Sequence, residues 1–240
     1  MKYAIVTGAS TGIGREVCIE LSKNNYEVAL VGRNLDGLIE TKKIIENEGG
    51  MAIIFECDLS SIMDINELAE KIKNHFNQID LIANIAGIWH GKDKVFAGVE
   101  YSNFENNTIV ETMNVGIVAP MILVNKLLPL MKSGSDIINL SGTFEDGGKG
   151  WLPYYVSKRA IEDFTVGLAD ELKEKNIKIN CVSPSDTATE SYRRFFPQYI
   201  DESIDPREIS KKFIEIIKSE ETGKVFVMKK NKDCIEGFHK

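Results

Sequence analysis

Short apolar runs alternate along the chain with longer stretches whose apolar residues recur at helical spacing. Tyr3–Thr7, Glu27–Val31, Met51–Cys57, Ile79–Asn84, Asp136–Ser141, Ile177–Val182 and Val225–Met228 read as strands. Between them, Gly12–Asn24 places Ile13, Val17 and Leu21 on one helical face. Leu35–Glu48 does the same with Leu38, Ile39, Ile44 and Ile45 and is closed by Gly49-Gly50, and Ile62–Phe76 is amphipathic. Thr108–Leu130, Pro153–Lys175 and Pro206–Lys218, the last opened by Asp205-Pro206, complete the helices. Runs such as Ala4-Ile5-Val6 and Ile137-Ile138 are apolar throughout, as expected of strands covered on both faces. The pattern predicts an α/β fold: a doubly wound sheet of seven parallel strands with helices on both faces and right-handed crossovers. No linker divides it, so residues 1–240 are expected to form a single domain. Two segments break the rhythm, 88–107 and 184–205. Loops of that length inside a compact domain are usually functional, and these two are expected beyond the carboxyl ends of strands, where open α/β sheets bind ligands.

Composition narrows the classes. Of 240 residues, 43% are apolar and 27% charged, an ordinary globular balance that excludes a disordered chain. The formal charge of −7 argues against a nucleic-acid partner, which needs a basic face. Three histidines and four cysteines without a C-x-x-C pair predict no metal. Cys18, Cys57 and Cys181 sit in apolar runs and read as buried thiols of a reducing, cytoplasmic protein. The apolar run after Lys2 is too short for a signal-peptide core, and no stretch is expected to reach the ~18 apolar residues of a membrane span.

The first strand runs into Thr7-Gly8-Ala9-Ser10-Thr11-Gly12-Ile13-Gly14 and a helix follows. Gly8 suits the tight turn, Gly12 the approach of backbone to a pyrophosphate, and Gly14 the packing of helix on sheet. The amides opening the helix would face the phosphates, with the helix dipole behind them.

This segment resembles the Thr-Gly-x-x-x-Gly-Ile-Gly motif of the short-chain dehydrogenase/reductase family, and the resemblance recurs in order along the chain. Asp58-Leu59-Ser60 is similar to the family's adenine-contacting segment. Asn84-Ile85-Ala86-Gly87 is similar to Asn-Asn-Ala-Gly, with Ile85 for the second Asn. Asn114-Val115 matches the helix motif with the active-site Asn, and Tyr154-x-x-x-Lys158 the catalytic pair. Pro184 to Thr189 resembles Pro-Gly-x-x-x-Thr, with Ser185 for Gly. The resemblance implies a Rossmann-type nicotinamide-dependent oxidoreductase acting on a small carbonyl or alcohol, assembled as a homodimer or homotetramer. It implies cofactor contacts from Gly8, Ser10, Thr11, Gly12, Ile13, Gly14, Asp58, Leu59, Asn84, Ala86, Gly87, Tyr154, Lys158, Pro184, Thr187 and Thr189.

The second strand ends Val31-Gly32-Arg33. A free ribose 2′-hydroxyl wants a carboxylate there, whereas a 2′-phosphate wants Arg. Arg33 therefore predicts NADP(H) over NAD(H), with Arg15 adding to the positive field and Asp36 fitting the first turn of the next helix.

Tyr154 and Lys158 lie one helical turn apart on one face, and Pro153 puts the Tyr near the helix N-terminus. The Lys158 ammonium, the helix dipole and an oxidised nicotinamide are expected to lower the phenol's pKa, making Tyr154 the acid–base group. Tyr155 competes, but Arg159 follows it at the Lys position. By resemblance, Lys158 holds the ribose hydroxyls and Asn114 positions a relay water. The third catalytic member is read two ways. Spacing to Tyr154 selects Ser141, whereas aligning Asn139-Leu140-Ser141-Gly142 with the family's Asn-Ile-Ser-Ser puts Gly142 in its place and leaves Thr143 as a substitute. Trp89, Phe144, Trp151, Tyr192, Phe195 and Phe196 supply aromatic surface to the substrate side, and Lys92, Lys94, Lys149, Arg193 and Arg194 positive charge. A 3-oxoacyl thioester is one substrate the resemblance suggests; a non-catalytic cofactor-ratio sensor is the alternative function.

Overall fold

A computed structural model describes residues 1–145 and 147–239. Asp146 and Lys240 lie outside the described residues. The elements in chain order are β1 (Lys2–Thr7), α1 (Gly12–Lys23), β2 (Tyr26–Gly32), α2 (Leu35–Asn47), β3 (Met51–Glu56), α3 (Ile62–His75) and β4 (Ile79–Asn84). There follow α4 (Asn106–Met113), α5 (Ala119–Leu127), β5 (Met131–Leu140), α6 (Leu152–Lys173), β6 (Lys178–Pro184), α7 (Glu190–Phe195), α8 (Pro206–Lys218), β7 (Val225–Met228) and β8 (Ile235–Glu236). The sheet order is β3-β2-β1-β4-β5-β6-β7-β8. β1 to β7 are mutually parallel, with Val6 beside both Leu30 and Ala83.

The strand count is corrected to eight. β8 pairs antiparallel with β7 through two residues, Ile235 and Glu236, in a polar tail whose pattern carries no strand period.

Each sheet face has its own core. Val17 and Leu21 of α1, Leu38 and Ile45 of α2, and Ile209 and Phe213 of α8 cover Val6, Val28 and Leu30 on one side. Ile65, Leu68 and Ile72 of α3, Leu123 and Leu127 of α5, and Leu172 of α6 cover Ile5, Ile82 and Ile137 on the other. This two-sided burial is why the strands read as unbroken apolar runs. Caps match the sequence cues: Asn34 accepts from the Gly37 N–H, Ser61 from Asp64 and Asp205 from Arg207.

The helix expected over Thr108–Leu130 is not uniform. Between α4 and α5, Asn114–Val118 forms a π-helical turn in which the Ala119 N–H reaches the Asn114 carbonyl. Such turns frequently mark functional sites. The continuous segment Asn106–Leu130 is long and apolar enough to cross a membrane, which the sequence reading did not anticipate. Its Val115, Ala119, Leu123 and Leu127 are buried against the sheet, the stripe of a core helix.

The order reverses between β1 and β4, which lie side by side although their chain neighbours diverge. The Thr7 hydroxyl closes this point, accepting from the Ile85 N–H at 3.0 Å and from Ala86 at 3.3 Å. The crevice beyond these strand ends is where a doubly wound sheet binds ligands.

Candidate active site

Two adjoining cavities open at this edge. The first, about 290 Å³, runs along the glycine turn and is lined by Gly8, Ser10, Thr11, Gly12, Ile13, Gly14, Arg33, Asp58, Leu59, Ala86, Gly87, Tyr154, Lys158 and Thr189, all sequence candidates. The second, about 720 Å³, is walled by Trp89, Phe144, Trp151, Tyr192, Phe196 and Tyr199. Pro184 and Thr187 line only the second. Asn84 lines neither: it is buried and donates to Asn139 Oδ1 at 2.8 Å, which in turn donates to Thr165 at 2.9 Å, bracing β4, β5 and α6.

The glycine turn is built for close approach. A methyl group on Gly14 would lie 2.1 Å from the Gly8 carbonyl oxygen, and one on Gly8 would lie 3.0 Å from the Ala86 backbone. These positions keep the α1 amides and the β4 end bare of side chains, so a flat, phosphate-bearing group fits the cradle. Arg33 borders the cavity, is exposed and makes no ion pair among the described residues; Asp36 lies in the first turn of α2. Arg15 is engaged, donating to Ser10 O at 2.7 Å and pairing with Glu40 at 2.7 Å. Asp58 turns inward to accept from the Ser60 amide at 2.9 Å and hydroxyl at 2.8 Å.

Tyr154 lines both cavities and stands at their junction. Lys158, 2% exposed, donates to the Leu140 carbonyl at 2.7 Å, and its Nζ lies 5.5 Å from the Tyr154 ring centre. Both side chains crowd Gly87: a methyl group there would meet Lys158 Nζ at 3.3 Å and Tyr154 Cε2 at 3.6 Å. Burial, with the Asp186 carboxylate second, raises the phenol's pKa above its ordinary value. Burial lowers Lys158 to about 8. The expected acidification of Tyr154 is therefore corrected. Desolvation and the Asp186 carboxylate both raise the phenol, and burial makes the Lys158 ammonium itself easier to deprotonate. A phenol that keeps its proton at neutral pH is suited to giving one up to a developing alkoxide.

Asn114 opens the π-helical turn and donates to the Ser60 carbonyl at 2.8 Å. Ser141 does not present its hydroxyl to the Tyr154 side. It is 2% exposed, donates to Glu162 Oε1 at 2.6 Å, lies 2.9 Å from the Lys158 carbonyl and accepts from Arg159 at 3.3 Å. Ser141, Gly142 and Thr143 all line the aromatic cavity, but the Ser141 hydroxyl is taken up by Glu162 and the Lys158 carbonyl. No hydrogen bond engages the Thr143 hydroxyl among the described residues.

Arg159 explains this arrangement. It pairs with fully buried Glu162 at 2.9 Å, donates to the Gly142 carbonyl and lies beside both the Phe144 and Tyr155 rings, 5.4 and 5.6 Å from their centres. Tyr155, with this cation behind it, lines neither cavity.

The substrate-side positive charge is also corrected. Arg194 is tied to Lys92 O at 3.0 Å and Asp93 at 3.1 Å, Arg193 to Ala188 O at 3.2 Å, and Lys94 lies 3.9 Å from Glu105. The charged residues lining the aromatic cavity are Glu145, Asp186, Glu202 and Lys149, three acids against one base among the described residues. Burial, and then the nearby Asp186 carboxylate, raise the Tyr192 phenol above its ordinary pKa. Asp186 and Glu190 went unread in the sequence; both fall in the irregular 184–205 segment, and that position was the only available signal.

Comparisons with known proteins agree with this geometry. Residues 2–199 match the family model described as short chain dehydrogenase. The chain is 32% identical over 188 residues to the uncharacterised oxidoreductase SSP0419 of Staphylococcus saprophyticus, covering 76% of this chain and 77% of that one. It is 25% identical over 206 residues to the 3-oxoacyl-[acyl-carrier-protein] reductase of Homo sapiens, covering 85% and 83%. Some relatives are longer, and the match spans 63% of the oxidoreductase YhxC of Bacillus subtilis. The landomycin C-6 ketoreductase LanV, solved with bound NADP and rabelomycin, superposes with a TM-score of 0.81 at 25% identity over 94% of each chain. Glycine turn, sheet order, Tyr–Lys pair and family match converge: the chain belongs to the short-chain dehydrogenase family of oxidoreductases.

Proposed function

We propose that the protein is an NADP(H)-dependent reductase interconverting a carbonyl and a secondary alcohol on a small molecule. The observation that carries this reading is Tyr154, a protonated phenol facing both the glycine-turn cavity and the aromatic cavity, with Lys158 one turn behind it. A nicotinamide bound along the glycine turn supplies the hydride. The protein supplies the rest. Tyr154 donates its proton to the carbonyl oxygen as charge develops there, help typically worth ~10²–10⁴-fold. Lys158 holds the ribose hydroxyls, and it and Asn114 return a proton to Tyr154 through a water. Thr143 polarises the carbonyl in place of Ser141, whose hydroxyl is occupied by Glu162. Arg33 selects the 2′-phosphate, since strand β2 ends in Gly32 without a carboxylate that would repel it. LanV, solved with NADP, and the human 3-oxoacyl reductase support this cofactor and reaction class.

The aromatic, acid-lined cavity favours a neutral, ring-bearing ketone and disfavours an anionic keto acid. A 3-oxoacyl thioester satisfies the neutral carbonyl but not the preference for a ring. The protein acts in the cytoplasm as a homodimer or homotetramer. A second reading, a cofactor-binding sensor with little catalysis, draws support from the buried commitment of Ser141.

NADPH oxidation against matched ketones separates the two. Aryl ketones should be reduced at least tenfold more efficiently (kcat/KM) than their carboxylate analogues. Tight NADPH binding with no turnover on any carbonyl would favour the sensor.

A further inference from the structure

The amide that opens α1 already has an anionic partner. Glu190 Oε2 accepts from the Gly12 N–H at 3.0 Å, and Glu190 Oε1 lies 3.5 Å from Arg15 Nη1. A helix N-terminus favours negative charge, and its exposed amides are the groups that bind phosphate oxygens. Here a carboxylate from 178 residues away in the chain occupies that place.

Glu190 is the first residue of α7, and Thr189 before it caps that helix by accepting from the Tyr192 N–H at 3.2 Å. The seam is tight, since a methyl group on Gly12 would lie 2.9 Å from Thr189 Cγ2. From there α7 reaches over the second cavity. Trp89 meets Tyr192 and Phe195 at 6.4 and 6.0 Å between ring centres, and Arg194 holds the Lys92-Asp93 turn. One short helix thus joins the phosphate seat at its first residue to the substrate wall along its length.

We propose that Glu190 is the residue that sets cofactor affinity: its carboxylate competes with the cofactor's pyrophosphate for the Gly12 amide and Arg15. Arg15 already divides its guanidinium between Glu40 and Glu190, but the single Gly12 N–H cannot serve two anions, so the pyrophosphate enters as Glu190 leaves. The departure releases the first turn of α7 from α1, which links cofactor arrival to repositioning of Tyr192 over the substrate cavity. The inference rests on the reading of the glycine turn as a dinucleotide site.

The test is NADPH affinity, measured by calorimetric titration without substrate, for the wild type, Glu190→Gln, Glu190→Ala and Glu16→Gln. Glu16 lies on α1 with Gly12, and its Coulombic environment includes Glu190, but its side chain has no hydrogen bond to the Gly12 amide. Both Glu190 variants should bind NADPH about 3- to 30-fold more tightly than the wild type, the range expected for relieving one helix-terminal carboxylate. Glu16→Gln should stay within about twofold. If the wild type binds NADPH and the Glu190 variants bind it no more tightly, or Glu16→Gln tightens equally, the competition is overturned while the dinucleotide reading stands. If no variant binds NADPH or NADH, the dinucleotide reading fails and the inference with it.

Discussion

Tyr154 and Lys158 carry their protons in an unusual order for a phenol and an amine. Burial pushes the phenol above its ordinary range and brings the ammonium down to about 8. Lys158 makes its hydrogen bond to a carbonyl, not to a carboxylate, and the more distant pull of Glu162 does not repay the desolvation of its charge. Two outcomes follow at this residue. NADPH affinity should weaken as pH rises through about 8, because the charged donor to the ribose is lost there. Lys158→Met should abolish that dependence, weaken binding about tenfold, and raise Tm at pH 7 by a few degrees. The sign is fixed by the depressed folded-state pKa: at neutral pH the amine is charged in both states, and only the folded state bears the cost of burying it. Titration of cofactor between pH 6 and 10, with thermal melts of both proteins, checks this. The placement of Gly8, Gly14, Tyr154 and Lys158 along one cavity was legible in the sequence because each depends on neighbours within a few positions. Ser141 was not, because one residue of slip at a strand end turns a side chain to the other face. Glu190 was not, because its partner is remote in the chain.

Among the elements, the junction of β5 with α6 depends on a single buried carboxylate. Glu162 is fully buried and receives Arg159, the Ser141 hydroxyl and the His239 backbone amide at 2.9, 2.6 and 2.9 Å. It thereby fixes the backbone just after β5, where Gly142 and Thr143 line the aromatic cavity. Glu162→Ala removes the buried acceptor shared by Arg159, the Ser141 hydroxyl and the His239 amide and should cost about 3–5 kcal/mol in chemical denaturation. A loss under about 1 kcal/mol would show the network to be unimportant. The parallel strands and their helices were readable because two-sided burial leaves apolar runs that side-chain chemistry alone reveals. The π-turn at Asn114 was not, since one extra residue per turn over five residues barely disturbs the spacing of apolar positions. β8 was not, since its two exposed residues depend only on backbone pairing to β7.

On the scale of the whole molecule, several of the exposed apolar residues fall on α4, α5 and α6. Val110 of α4, Met121 of α5 and Val156 and Val166 of α6 are 55%, 47%, 42% and 39% exposed on the outer helices. Isolated apolar residues on a surface need no explanation, but several on adjoining helices suit a partner subunit. Sedimentation analysis should find a dimer or tetramer, and Val110→Glu with Val166→Glu should shift it to monomer. A monomeric wild type at micromolar concentration would remove the assembly from the account.

The central claim concerns one proton donor at the junction of two cavities. Its most direct test is Tyr154→Phe, assayed for ketone-dependent NADPH oxidation alongside NADPH affinity. The account predicts that kcat falls about 10²–10⁴-fold while the dissociation constant for NADPH stays within about threefold. Turnover close to wild type in that variant would contradict it.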